Sequence, residues 1–440
     1  MNDNAVTIFW FRRDLRLSDN AALHHALQGG VPVLPLFIFD ADILEPLSNR
    51  ADRRVAFIHA ALKGMDQTLR RTHSGIVIRQ GRPLQVWQEV LEEHTVIEVH
   101  ANRDYEPYAL KRDQEIGELL RSRGIPFHTH KDHLIFDRDE IVTGAGGPYT
   151  VYTPYKNKWL SRLTPNDLAP YDCERHLERM ASFHPPDFPA LSGIGFAELP
   201  GAFAEPRLDE TLLRDYHLHR DYPALSGTSR MSAHLRFGTV SIRALVRQAR
   251  EWNQTWLQEL VWREFFSQIL FHFPQVVDQP FKKAYAAIPW RENESDLARW
   301  CDGQTGYPMV DAGMRELNQT GFMHNRVRMI TAGFLCKHLL LPWLWGERYF
   351  AEKLLDYDLA SNNGNWQWAA GCGCDAAPYF RVFNPELQQQ KFDPQQHYIR
   401  RWVPELGTPR YPAPMVFHAA ARIRAITTYR SALAGATTPA

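Results

Sequence analysis

Short apolar runs alternate with amphipathic stretches over the first 130 residues. Residues 6–11, 33–39, 76–78 and 96–99 read as buried strands, and 53–69, 84–91 and 109–123 as the helices between them. Strands that alternate with helices predict a doubly wound parallel sheet with right-handed crossovers, an α/β domain. From about 131 to 205 the periodicity fades and prolines recur (Pro148, Pro154, Pro165, Pro170, Pro185, Pro186, Pro189, Pro200), which predicts a long, mostly irregular connector. Beyond it, apolar residues return at three- and four-residue spacing over 256–273, 308–319, 324–341 and 349–355, which predicts an all-α domain. The expected division is therefore 1–130, 131–205 and 206–440.

Composition narrows this picture. Hydrophobic content of 44% and charged content of 23% are ordinary for a globular protein, and 440 residues allow two or three full cores. No apolar run reaches the roughly 18 residues of a membrane span, and no signal peptide is visible, so a cytoplasmic protein with no membrane partner is expected. The five scattered cysteines suit a reducing compartment. Cys372-Gly-Cys374 is too short and isolated for zinc, and no metal site is expected. Net charge is zero, which leaves room for a local phosphate-binding patch but not for coating DNA by bulk charge.

Four segments could carry chemistry. In Asp356–Trp368 (DYDLASNNGNWQW), carboxylates and amides stand beside Trp366 and Trp368, with a turn expected at Gly364-Asn365. Such a mixture suits a flat polar heteroaromatic guest; a helix end with two core tryptophans is the plainer reading. Thr228-Ser229-Arg230-Met231-Ser232 is either a phosphate site at a helix start or an N-cap cluster. Glu259 and Arg263 are four apart on one face, near Trp256 and Trp262. They read as a surface ion pair or, given their apolar neighbours, as a buried carboxylate beside an arginine. In 305–329, Asn325 and Met329 share a face, Arg326 points elsewhere and Arg328 is in reach of Asp356. Arg326 suits a phosphate and Asn325 a base edge, or the helix carries a solvated basic face. Nine of the 13 tryptophans lie between Trp256 and Trp402.

In this order, these segments resemble the DNA photolyase/cryptochrome family over about residues 6 to 405. Phe11-Arg12-Arg13-Asp14-Leu15-Arg16 with Asp19-Asn20, the segment 305–328, Asn362–Trp368 and the run from Asp375 to Pro385 carry the likeness. The resemblance implies a Rossmann-like α/β domain, a connector and a helical domain that holds FAD, active when reduced. By the same resemblance Tyr216 and Thr228, Ser229, Arg230, Met231 and Ser232 hold the ribityl and phosphate parts. Trp256, Glu259, Arg263, Phe322, Asn325, Arg328, Asp356 and Asp358 frame the ring systems, and Asn362 faces flavin N5. Trp366, Trp343 and Trp290 match a chain that passes electrons inward.

Asn325 and Met329 stand where relatives that split the (6-4) photoproduct resemble one another in placing histidine. The resemblance is therefore to enzymes that repair cyclobutane pyrimidine dimers in ultraviolet-damaged DNA. It implies that Glu259 and Asn325 touch the lesion, with Arg263 and Met329 beside it. Trp262 and Trp368 line the pocket for the flipped bases, and Arg220 and Arg326 grip phosphates. Phe322 stands where many relatives carry Trp, Asn365 where Gly is usual, and His338 where many carry an acid. Glu106-Pro107-Tyr108 resembles relatives with a deazaflavin antenna or none, so a folate in the usual site is not expected. A monomer is expected. The rival readings are a blue-light receptor with FAD, a protein acting on single-stranded DNA or the (6-4) lesion, and a nucleotide-binding protein without light chemistry.

Overall fold

The computed structural model describes residues 5–199, 201 and 203–436, and the chain divides into two compact units. The first comprises 1–140, 161–207 and 230–251; the second comprises 141–160, 208–229 and 252–440.

The first unit is built on five parallel strands: β1 (Ala5–Phe11), β2 (Val33–Asp40), β3 (Val77–Gly81), β4 (Thr95–Asn102) and β5 (Phe127–His130). Their order is β3-β2-β1-β4-β5, which is doubly wound about β1 and β4. The crossovers include α1 (Ala21–Gln28), α2 (Arg53–Arg70), α3 (Pro83–Glu93) and α4 (Pro107–Ser122). Ile8, Trp10, Leu36 and Val99 on the strands pack with Trp87 of α3 and Ile116 of α4. The four strands expected from apolar runs are present. β5 and α1 escaped notice, because Phe127–His130 carries three polar residues in four and α1 contains adjacent histidines.

The second unit is helical. Its main helices are α5 (Tyr152–Arg162), α6 (Gln254–His272), α7 (Pro308–Thr320), α8 (Asn325–Gly333), α9 (Trp343–Lys353), α10 (Leu359–Ala370) and α11 (His418–Ala436). α5 starts in this unit, inside the stretch expected to be mostly irregular; Tyr152, Tyr155 and Trp159, three and four apart, are its buried stripe. The single helix expected over 324–341 is instead α8 followed by a π-helical turn, Phe334–Leu339, that ends at Leu340 with φ +54°. The wider turn brings Lys337 Nζ to the Ala370 carbonyl at 2.8 Å. No helix among the described residues is long and apolar enough to cross a membrane.

The turn expected at Gly364-Asn365 is not there: α10 runs straight through it. Gly364 serves helix packing. A Cβ there would lie 2.2 Å from the Phe266 ring, so the missing side chain lets α10 approach α6. Asn365 sits in mid-helix and donates to the Ser361 carbonyl at 2.8 Å.

Candidate flavin and lesion site

α8 and α10 each turn one stripe toward a shared cleft. Asn325, Arg328, Met329 and Ala332 recur at helical spacing on α8, as do Asn362, Asn365, Trp366 and Ala369 on α10. Phe350, Leu354, Asp356 and Asp358 add to its walls. Asp358 caps α10, its side chain accepting from the Ser361 N–H at 3.0 Å. It thereby fixes the face that α10 presents.

The cleft has a directional polar edge and apolar walls. Arg328 Nη2 donates to both oxygens of Asp356, at 2.9 and 3.1 Å, and Arg328 Nε to the Met323 carbonyl at 2.7 Å. The Asp356 side chain is 6% exposed. Asn362 donates from Nδ2 to Glu347 Oε1 at 2.9 Å and to the Glu347 carbonyl at 3.1 Å. Burial pushes the Glu347 carboxyl above its usual range, against the bond from Asn362. Trp366 is wedged edge-on between Phe350 (5.0 Å) and Trp300 (6.1 Å). Its indole Nε1 is buried and has no hydrogen-bond partner among the described residues. An amide carbonyl, a paired guanidinium, carboxylates and an orphaned indole N–H between hydrophobic walls fit the rings of a flavin.

A second group adjoins the cleft through Met329, whose sulfur lies 3.8 Å from Arg326 Nη1. Arg326 also pairs with Asp221 at 2.7 Å and stands over the Phe392 ring at 4.4 Å. Arg220 pairs with Glu259 at 2.5 Å and lies over the Tyr216 ring at 5.3 Å. Burial, and then the nearby Glu259 charge, push the Tyr216 phenol well above its usual range. Trp262 stacks on Tyr152 with centroids 3.6 Å apart and planes 8° apart. The Trp368 ring has the Arg381 guanidinium at 6.0 Å and Phe383 at 6.5 Å.

The expectation of a buried Glu259 beside Arg263 needs correcting. Glu259 takes Arg220, distant in the chain, as a partner, and its side chain is 33% exposed. Arg263 is half-buried on α6. The buried carboxylate of that helix is Glu264, which accepts from Trp159 Nε1 at 2.7 Å and the Tyr155 hydroxyl at 3.3 Å. In the segment 228–232 the N-cap position falls on Met231, whose side chain cannot cap. The short helix Ser232–Phe237 starts after Met231 with no side-chain cap bond. Thr228 and Ser229 belong to the second unit, and Arg230, Met231 and Ser232 to the first.

Eight of the expected residues line the cleft: Asn325, Arg328, Met329, Asp356, Asp358, Asn362, Trp366 and Trp368. Others do not line it. Trp256 is buried and stacks near Trp252 at 6.3 Å, and Phe322 is half-buried with the Arg328 guanidinium 5.9 Å from its ring. Trp343 is buried in the same core as Trp366, whereas Trp290 is only partly buried at its margin, edge-on to Tyr429. Sequence reasoning missed Glu347 and Tyr152. The spacing of Tyr152, Tyr155 and Trp159 was a readable helix signal; nothing in the sequence marks Glu347 as a partner of Asn362.

In the first unit, Glu106 pairs with Arg13 at 2.8 Å and with Arg236. The Tyr108 hydroxyl donates to Asp40 at 2.6 Å. The acid at the expected folate position is thus already held by two guanidinium groups.

Residues 7–174 match the family model described as DNA photolyase, and 256–410 the one described as FAD binding domain of DNA photolyase. A deoxyribodipyrimidine photo-lyase of Synechococcus is 37% identical, with 94% of each chain aligned. The chain belongs to the DNA photolyase family. A bacterial class III photolyase structure from Agrobacterium tumefaciens superposes with a TM-score of 0.87 at 34% identity, covering 98% of both chains. An archaeal photolyase from Sulfolobus tokodaii, solved with two FAD molecules and described as implicating a novel light-harvesting cofactor, gives 0.84 at 33% identity, covering 97% of this chain and 100% of its own. The photolyase architecture of an α/β part and a helical part is the one expected from periodicity, and the FAD-binding match falls on the segment that forms the cleft.

Proposed function

We propose that this chain is a light-driven lyase that splits cyclobutane pyrimidine dimers in DNA, with FAD held in the α8–α10 cleft. The observation that carries the reading is the adjacency of two devices. One is a polar-edged aromatic cleft built from Arg328–Asp356, Asn362–Glu347 and Trp366. The other is a half-open patch with Glu259, Arg220, Arg326 and Trp262. FAD, when bound, reduced and excited, supplies the electron that opens the cyclobutane ring and takes it back afterwards.

The chain's own residues position and shield. Both hydrogen bonds from the Asn362 amide go to Glu347, which leaves its carbonyl oxygen as an acceptor that would hold the flavin's ring edge. Arg328, neutralised by Asp356, donates to ring carbonyls without bringing an isolated buried charge. Trp262, Trp368 and Met329 offer the apolar surface that receives flipped bases, and a poorly stacked dimer is cheap to extrude. Glu259 and Asn325 meet the polar edge of the dimer. Arg220 and Arg326 exchange Glu259 and Asp221 for phosphate when DNA docks. Trp290, Trp343 and Trp366, graded from partly to fully buried, relay electrons inward. A monomer working in the cytoplasm, and an antenna other than a folate in its usual site, belong to the same proposal. The receptor alternative has no observation of its own in its favour.

The test is light-dependent repair. Protein reduced without oxygen is mixed with an oligothymidine carrying cyclobutane dimers and illuminated with blue or near-ultraviolet light. Recovery of base absorbance only in the light supports the proposal; no recovery with FAD bound and reduced rejects it.

A further inference from the structure

Two neighbouring strands bring an acid and several imidazoles to one edge of the α/β sheet. Alternation puts Glu98 and His100 on one face of β4, and His128 and His130 on one face of β5. The parallel register then sets His100 beside His128. Glu98, His100 and His128 offer a carboxylate oxygen and two imidazole nitrogens, all within 4.8 Å of one another. His100 Nε2 is 3.4 Å from Glu98 Oε1, and His128 Nε2 is 3.3 Å from Glu98 Oε2. Ligands at about 2.1 Å from a tetrahedral zinc stand about 3.4 Å apart. Each carboxylate oxygen therefore faces one imidazole at about that spacing, Oε1 facing His100 and Oε2 facing His128.

A second observation points the same way. His100 is 6% exposed, yet its Nε2 makes no well-aligned hydrogen bond among the described residues, its facing acceptor being Glu98 Oε1 at 3.4 Å. Its other nitrogen, Nδ1, lies 3.1 Å from His130 Nε2. A proton on Nδ1, donated to His130, leaves the Nε2 lone pair facing Glu98 and His128. This is how an outer partner commonly orients a metal-ligating histidine. His130 is itself held by stacking on His25, with ring centroids 4.5 Å apart and planes 16° apart. The Thr7 hydroxyl lies 3.4 Å from Glu98 Oε1 and donates to it.

We propose that Glu98, His100 and His128 bind one divalent transition metal of the zinc class, with a fourth position left to water beside the exposed His128. Two imidazoles and one carboxylate suit zinc and its neighbours. Magnesium and calcium prefer all-oxygen sets, and clusters and copper(I) prefer thiolates. None of these residues belongs to the flavin cleft. The metal clips the short edge strand β5 to β4, so its effect is on the stability of the α/β unit.

The full-length protein with its FAD, treated with a chelator and then titrated with zinc, tests the site by metal content and thermal melting. One zinc per chain and a zinc-dependent rise in melting temperature are expected for the parent, and magnesium gives no rise. His128→Ala, on an exposed side chain, and Glu98→Gln, of unchanged shape, each lower zinc affinity at least tenfold and remove the rise relative to their own chelated forms. Failure of the parent to hold zinc, or the same affinity in both variants, overturns the proposal.

Discussion

Gly346→Ala places a methyl group where the Trp366 indole now lies. Gly346 is buried in α9, and an added Cβ would stand 2.1 Å from Trp366 Cη2 and 2.6 Å from Cζ3. Carbon atoms rest about 3.5–4.0 Å apart, so the indole or the helix must move by more than an ångström. The indole has little room. It is 1% exposed, and Phe350 and Trp300 hold it edge-on. Helix propensity works the other way, because Ala in mid-helix gains about 0.5–1 kcal/mol over Gly. Overpacking a tight core costs about 1–3 kcal/mol and occasionally more. At this distance the upper end of that range applies, leaving a net loss of about 2 kcal/mol. The expected result is a melting midpoint several degrees lower for the FAD-binding unit, with weaker FAD retention and slower photoreduction, because the displaced ring is also a wall of the cleft. Differential scanning calorimetry, flavin absorbance after desalting and photoreduction kinetics read all three. A variant that melts at or above the parent temperature and photoreduces its flavin at the parent rate refutes the reasoning.

Four further outcomes follow from the same geometry. Glu259→Ala lowers dimer repair per absorbed photon while FAD stays bound; an unchanged quantum yield removes Glu259 from its role. Trp366→Phe abolishes photoreduction of oxidised flavin but spares repair once the flavin is chemically reduced; normal photoreduction would exclude Trp366 from the relay. Asp356→Asn leaves Arg328 without its counter-charge, and the purified variant should carry several-fold less FAD, as read by the ratio of flavin to protein absorbance. The fourth concerns pH. Burial, then His418 and Arg424, push the His338 imidazole down from about 6.5 to about 3. Between those values the unfolded chain binds a proton that the folded chain does not, so stability falls as pH drops through that window. In His338→Gln, the dependence of unfolding free energy on pH between 6 and 4 should be shallower than in the parent by up to one proton; equal slopes would show that His338 is not held neutral.

Periodicity made the α/β-then-helical order legible, because parallel strands buried on both faces need continuous apolar runs, and helices need stripes at three- and four-residue spacing. Clustered chemistry made much of the cleft legible, since α8 and α10 each carry their cleft-facing residues at helical spacing within one segment. The pairing of Arg328 with Asp356 was anticipated from the sequence, and the structure shows it. What lay beyond reach came from distant segments or from close packing. The choice of Arg220 as a partner of Glu259, the clamp of Glu347 on Asn362 and the stacking of Trp262 on Tyr152 depend on how separate helices meet, and no spacing rule encodes that. Gly364 looked like a turn because glycine usually means backbone freedom; only the Phe266 ring beside it shows that the missing side chain permits helix contact. The histidines of β4 and β5 are separated by some thirty residues, and their meeting is set by strand register alone. Sequence by itself determined the main strands and helices and the chemistry they carry, because those are largely local properties of backbone and side chain. The tertiary structure decided which of these groups touch, because contact between elements is set by packing of the whole chain.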